Sequence, residues 1–273
     1  MKELTTRAIS GAIYILLLIG ALFMQEALIV LLAIFGILSL IEFSKLIKLK
    51  SYFQFGIFLL LYLGFWYICI FHKTLNESDV AIQILLVITI FVNLLLIKDL
   101  FAEKKIPLFQ SKRYIATTFY LTSGFIFMLL IANFNGKFTP FLLLGGFILV
   151  WVNDSAAYVV GKNFGKQKLF PSISPKKTVE GFLGGLFFAC VSSYFISIYT
   201  ETLPFNSWLI LAIIVSVFGT FGDLIESKFK RQAGVKDSGV IMPGHGGLLD
   251  RLDSLIFAVP FVYLFLRILN YVS

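Results

Sequence analysis

The sequence predicts an all-α polytopic membrane protein of about nine transmembrane helices, with a cytoplasmic N-terminus and the C-terminus outside. Three observations predict it. Apolar residues make up 59% of the 273 and charged residues 14%, with a mean hydropathy of +0.92, against roughly 45–50% and 25% in a soluble domain. The apolar residues fall in runs of the length a bilayer-crossing helix needs, about 20 residues. Period-two alternation, the mark of a membrane barrel, is absent.

In order, the candidate spans are Ala8–Met24, Ala27–Phe43, Phe53–Phe71, Val80–Ile97, Tyr114–Phe134, Phe141–Val160, Val179–Tyr199, Trp208–Ile225 and Leu252–Tyr271. Lys2 and Arg7 precede the first run, but no small-residue cleavage site follows it, so it reads as a retained helix. Only Gln25 and Glu26 separate the first two runs, which predicts a tight hairpin. The whole chain, 1–273, reads as one integral membrane domain. Residues 1–113 supply four scaffold helices, and 114–273 supply five helices whose loops carry the candidate chemistry.

Orientation follows from the basic residues. With the N-terminus inside, 20 of the 23 Lys and Arg fall on inside segments, Lys73 and Lys137 fall outside, and Arg267 lies near the outer end of the last span. The positive-inside rule favours that arrangement and places the protein in the cytoplasmic membrane, its polar loops facing the cytoplasm. The same rule accounts for the net charge of +8, so no nucleic-acid partner is needed to explain it. Cys69 and Cys190 each sit inside an apolar run and read as buried small residues.

The first half carries little chemistry. Glu42, beside Lys45, reads as an interfacial ion pair, and His72, beside Lys73, as an interfacial residue. The Lys98–Arg113 segment reads as a solvated loop. The character changes at Asp154, late in the sixth span, where an acidic residue is costly unless paired or hydrated and therefore points to function. Gly161–Lys166 approaches a phosphate-binding loop but is one residue short, and Gln167 stands where Ser or Thr is needed. Ser174-Pro175-Lys176-Lys177-Thr178 leads into the seventh span. Ser174 or Thr178 can cap that helix and Pro175 suits its entry, giving a helix N-terminus with two lysines that can hold an anion. Gly181 and Gly185 have the spacing that lets membrane helices approach closely.

The densest stretch runs from Asp223 to Asp253. Asp223 with Glu226, and Asp250 with Asp253, are acidic pairs one helical turn apart. Lys228, Lys230, Arg231, Lys236 and Arg251 supply cations, and Pro243-Gly244-His245-Gly246-Gly247 forms a Gly-rich turn between them. Carboxylates from two helix ends suit Mg²⁺ and a bound polyphosphate. Arg231, Lys236 and Arg251 suit its charge, the arginines through bidentate contacts.

Ser227-Lys-Phe-Lys230-Arg231, Lys236-Asp237-Ser-Gly239 and Pro243-Gly-His245-Gly-Gly-Leu-Leu-Asp250-Arg251-Leu-Asp253 together resemble the signature of the phosphatidate cytidylyltransferases. Ser172–Gly181 and Asp154–Gly165 are similar to that family as well, so the resemblance covers mainly residues 150–273. Met242 is a mild departure that affects packing. The resemblance implies that CTP and phosphatidate give CDP-diacylglycerol and pyrophosphate in a Mg²⁺-dependent reaction. It maps the metal positions onto Asp223 and Asp250, with Asp253 close by. It further implies a second, monovalent cation such as K⁺, and a homodimer.

The chemistry of the residues agrees with that implication. A lipid phosphate is already an anion and needs no strong base; the barrier lies in joining two anions and stabilising the leaving pyrophosphate. The expected catalytic set is Asp223, Asp250, Asp253, Lys236, Arg251 and His245. Ser174, Lys176, Lys177, Lys230, Arg231 and Asp154 are expected to bind substrate. Two alternatives stand beside this reading: a CTP-dependent polyprenol or lipid kinase of related architecture, and a membrane transporter. Against the transporter, the polar residues cluster at one face and no repeat relates the two halves. The Asp pattern of CDP-alcohol phosphotransferases is absent, because Asp250 and Asp253 are three apart.

Overall fold

The structure, a computed structural model, describes residues 2–72, 75–102 and 105–272. Lys73 and Lys104, which enter the charge count, lie outside the described residues, as do the side chains of Lys2 and Arg7. Ten helices follow in order: α1 Lys2–Ala21, α2 Gln25–Leu46, α3 Phe53–Trp66, α4 Leu75–Phe101, α5 Gln110–Ala116, α6 Ser123–Ala132, α7 Pro140–Phe164, α8 Val179–Thr200, α9 Phe205–Ala233 and α10 Leu249–Val272. A π-helical turn, Tyr67–Phe71, prolongs α3, and another, Thr117–Thr122, joins α5 to α6. Pro140 opens α7 and Pro204 precedes α9, positions that cost no helical hydrogen bond. Gly234, at φ 76°, ends α9 in the left-handed conformation that glycine adopts freely.

Among the described residues, eight helical stretches are long and apolar enough to cross a membrane, so the chain is an all-α polytopic membrane protein. They coincide with the second to ninth predicted spans. The first predicted span is helical too, but only Ile9–Ala21 of α1 is apolar, because Lys2, Glu3 and Arg7 take up its first turns. Gln25 and Glu26 belong to α2 instead of a linker; the turn is Leu22–Met24.

Contacts at the two ends show how the helices alternate. At one end, Gln54 beside α3's start bonds Ser44 of α2, and Arg113 of α5 donates to the Lys48 carbonyl. At the other end, Gln25 donates to Asn133 at 2.6 Å, and Arg267 of α10 pairs with Asp79 of α4 at 2.7 Å. The core centres on α6, in which every residue is buried, and on the first two-thirds of α10.

Close helix contact depends on small residues. A Cβ on Gly181 would stand 2.8 Å from the Ala157 carbonyl of α7, and one on Gly185 2.7 Å from the Asn153 carbonyl. The predicted packing role of this pair therefore holds, and it locks α8 onto the half of α7 that carries Asp154.

The connection from α7 to α8 departs from expectation. Lys168–Phe170 and Ser174–Thr178 form an antiparallel hairpin, β1 and β2, with Lys168 opposite Thr178 and Phe170 opposite Ser174. Ser174 and Pro175 are strand residues and neither caps nor enters the helix. Thr178 is the cap, accepting the Gly181 N–H at 3.1 Å. The Glu180 carboxylate accepts the Lys166 and Gln167 N–H groups, which closes the turn. Gly161–Phe164 completes α7 and forms no phosphate loop.

Candidate active site

The site lies where the C-terminal ends of α7 and α9 meet the N-terminal ends of α8 and α10. Gly222 makes the approach of α9 to α10 possible: a Cβ there would come within 2.7 Å of both the Asp253 carbonyl and the Phe257 Cβ. That contact sets Asp223 of α9 beside Asp253 of α10. Asp154 of α7 lies within electrostatic reach of Asp223, Lys177 and Arg251, and Asp253 within reach of Asp223 and Asp154. Three helices thus bring three carboxylates within electrostatic reach of one another. Asp253 is buried, whereas Asp154 is exposed.

Lys177, the last cationic residue of β2, pairs with Asp223 at 2.6 Å. Burial alone would lower its pKa, but the carboxylates of Asp223, Asp154 and Asp253 outweigh that cost and hold the ammonium above the usual lysine range. The hairpin that sequence reading missed is what carries this cation over the acidic cluster.

One turn along α9, Glu226 is fully buried and pairs with Lys230, four residues on. Lys230 also reaches Asp250 Oδ1 at 2.5 Å. Asp250 Oδ2 meets the Ser238 N–H at 2.9 Å, the Ser238 hydroxyl at 3.0 Å and the Gly247 N–H at 2.8 Å. Asp250 therefore fixes the 238–247 loop while facing a cation with its other oxygen. Lys230, expected to bind substrate, bridges α9 to α10 through these acids.

Glu42 belongs to this assembly and not to an interfacial pair with Lys45. It is buried on α2, and its two oxygens accept the N–H groups of Leu248 at 3.2 Å and Leu249 at 2.8 Å. The Ser238 hydroxyl lies between Glu42 and Asp250, 3.2 Å from the former. A carboxylate at the N-terminus of α10 satisfies orphan helix donors and complements the helix dipole. Residue type alone gave no signal, because the bonded groups lie 206 and 207 residues away.

The remaining expected residues bond other groups or are exposed. Arg251, exposed, donates to the His245 carbonyl at 2.8 Å and so ties the Gly-rich turn to α10. His245 Nδ1 stands 2.8 Å from the Ser10 hydroxyl of α1. Gly244 and Gly246 adopt φ 78° and 96°, which that turn requires. Arg231 bonds the Ile173 and Val235 carbonyls, linking the hairpin to α9. Lys176 and Lys236 are exposed and Ser174 is half-buried. Lys228 stands apart from the cluster, donating to the Asp99, Leu100 and Ala102 carbonyls at the end of α4.

The donor set fits a cation shared with a ligand. Asp223 and Asp250 each hold a lysine ammonium at 2.6 and 2.5 Å, so each carboxylate already faces a positive charge. No group of three or more His, Cys, Asp or Glu able to hold a metal occurs among the described residues. Mg²⁺ is commonly held by one or two carboxylates together with substrate phosphates and water.

The model of the cytidylyltransferase family matches residues 5–269. The phosphatidate cytidylyltransferase of Bacillus subtilis (strain 168) is 48% identical over 124 residues, 45% of this chain and 46% of that protein. The phosphatidate cytidylyltransferase of Staphylococcus aureus (strain COL) is 49% identical over 126 residues, 45% of this chain and 48% of that protein. The matched stretch spans about half the length of these curated relatives.

Proposed function

The chain belongs to the cytidylyltransferase family, and from that premise we propose that it transfers the cytidylyl group of CTP to phosphatidate. The products are CDP-diacylglycerol and pyrophosphate. The observation that carries this reading is the meeting of Asp154, Asp223 and Asp253 with Lys177 at one end of the helix bundle, beside a loop clamped by Asp250.

A phosphate oxygen of the lipid attacks the α-phosphorus of CTP as the bond from that phosphorus to the bridging oxygen of the β-phosphate breaks. The nucleophile is already ionised, so no residue need remove a proton. Lys177 and Lys176 on the hairpin, with Lys236, Arg231 and Arg251, hold phosphate oxygens and offset their repulsion. His245 donates a hydrogen bond to phosphate or orders the turn that presents Arg251. Lys230, between Glu226 and Asp250, keeps α9 and α10 in register and can yield Asp250 Oδ1 to another cation.

Asp223 and Asp250 would hold Mg²⁺, with Asp253 close by, Asp154 toward the substrate and a monovalent cation such as K⁺ as a second charge. When bound, Mg²⁺ supplies charge neutralisation on the nucleotide phosphates. The N-in, C-out topology with nine crossings, the cytoplasmic membrane location and a homodimer complete the proposal. Charge asymmetry and the gathering of every candidate residue at one bundle end support the topology.

Product analysis separates this from a lipid kinase. Pyrophosphate released only when CTP and phosphatidate are both present supports cytidylyl transfer; CDP released with phosphorylated lipid favours the kinase. Solute uptake into vesicles without nucleotide turnover favours transport.

A further inference from the structure

Beside the Gly-rich turn, α1, α2 and the 241–248 segment enclose a cavity of about 370 Å³. Its lining includes Ser10, Ile13, Tyr14 and Leu17 of α1, Phe35 of α2 and Pro243 of the turn. The two ends differ. At one, the Ser10 hydroxyl donates to the Pro243 carbonyl at 2.9 Å and meets His245 at 2.8 Å, so this end adjoins the turn that Arg251 holds. At the other, Leu17 lies seven residues along α1, about 10 Å at the helical rise, among apolar side chains.

Two further features bear on the occupant. Ile13 and Leu17 line the cavity yet stay 52% and 53% exposed, so its apolar end opens sideways from the bundle. The Tyr14 ring stacks on Phe35, and its buried hydroxyl has no hydrogen-bond partner among the described residues. It lies within electrostatic reach of Arg251 and Asp253. A slot that is polar at the catalytic end and apolar toward the side fits an amphiphile.

We propose that this slot holds one acyl chain of phosphatidate, with the lipid's polar part at the Ser10–Pro243 rim beside Arg251. α1 thereby becomes a chain-recognition element. The inference rests on the activity proposed above and adds where the lipid tail lies.

Purified protein and its Ile13→Trp and Leu17→Trp variants are compared on long-chain and dihexanoyl phosphatidate. Filling the slot lowers the long-chain to short-chain ratio of kcat/KM by about tenfold, the loss of roughly two methylenes of apolar burial. Leu17→Ala, which enlarges the slot, moves the preference toward longer chains. An unchanged ratio in all three variants overturns the proposal. Independently of turnover, phosphatidate with a diazirine in its acyl chain should label residues 9–17 of the wild type, and unlabelled phosphatidate should compete. Label confined to other helices overturns the slot. Label on 9–17 in protein that makes no CDP-lipid retains the slot and refutes the activity.

Discussion

Replacing Glu42 with Gln removes one of two carboxylate oxygens on which the 238–249 loop is hung. In the wild type one oxygen accepts the Leu248 N–H and the other accepts the Leu249 N–H beside the Ser238 hydroxyl. Gln keeps one acceptor and turns an NH₂ toward a backbone donor. An unsatisfied buried donor costs about 1–3 kcal/mol, and the lost charge at the start of α10 costs about 0.3–1 kcal/mol more. If about 2 kcal/mol of this appears as misplacement of Asp250 and Arg251, kcat/KM falls about 30-fold. Glu42→Ala, which leaves both donors unmet, falls further. The assay is CTP-dependent pyrophosphate release in detergent micelles, with hydrogen exchange at residues 237–249 as the structural readout. Faster exchange there with slower turnover is expected. Near-normal kcat/KM with unchanged exchange would refute the reasoning that Glu42 positions the loop.

Three other predictions follow from particular contacts. Asp223→Asn should lower turnover by at least about 100-fold, and raising Mg²⁺ should not restore it; near-normal activity at limiting Mg²⁺ removes Asp223 from the metal site. Gly222→Ala forces a Cβ to within 2.7 Å of the Asp253 carbonyl, so it should cost about 1–3 kcal/mol by overpacking. A lower melting temperature together with reduced activity is expected, and an unchanged melt contradicts the close approach. Lys228→Met strips a charged donor from the end of α4, a loss of about 1.5–3 kcal/mol, while the KM for CTP stays within about twofold. A selective rise in that KM would place Lys228 on the nucleotide instead.

Much of the site was legible because its parts are short-range patterns. Asp250 sits at a helix start that hydropathy marks out, Asp223 near the end of an apolar run whose helix continues to Ala233, and Thr178 is one of the two caps that the residues before α8 offer. The rest depends on distance along the chain. Glu42 looks like an ordinary interfacial acid until α2 is packed against a loop roughly two hundred residues away. Lys228 looks like a phosphate ligand until α4 offers it three carbonyls. The β1–β2 hairpin is hidden by its brevity and by Pro175, which by propensity argues against a strand. Asp250 is expected as a metal position, yet Ser238 and Gly247 already occupy one of its oxygens.

The central claim is tested most directly by following the α-phosphorus of CTP. CTP labelled at that atom is offered with phosphatidate to the purified protein in Mg²⁺-containing detergent. The account predicts label in the lipid fraction as CDP-diacylglycerol, with unlabelled pyrophosphate released in equal amount. Label that stays wholly in free nucleotide while the lipid turns over would contradict it.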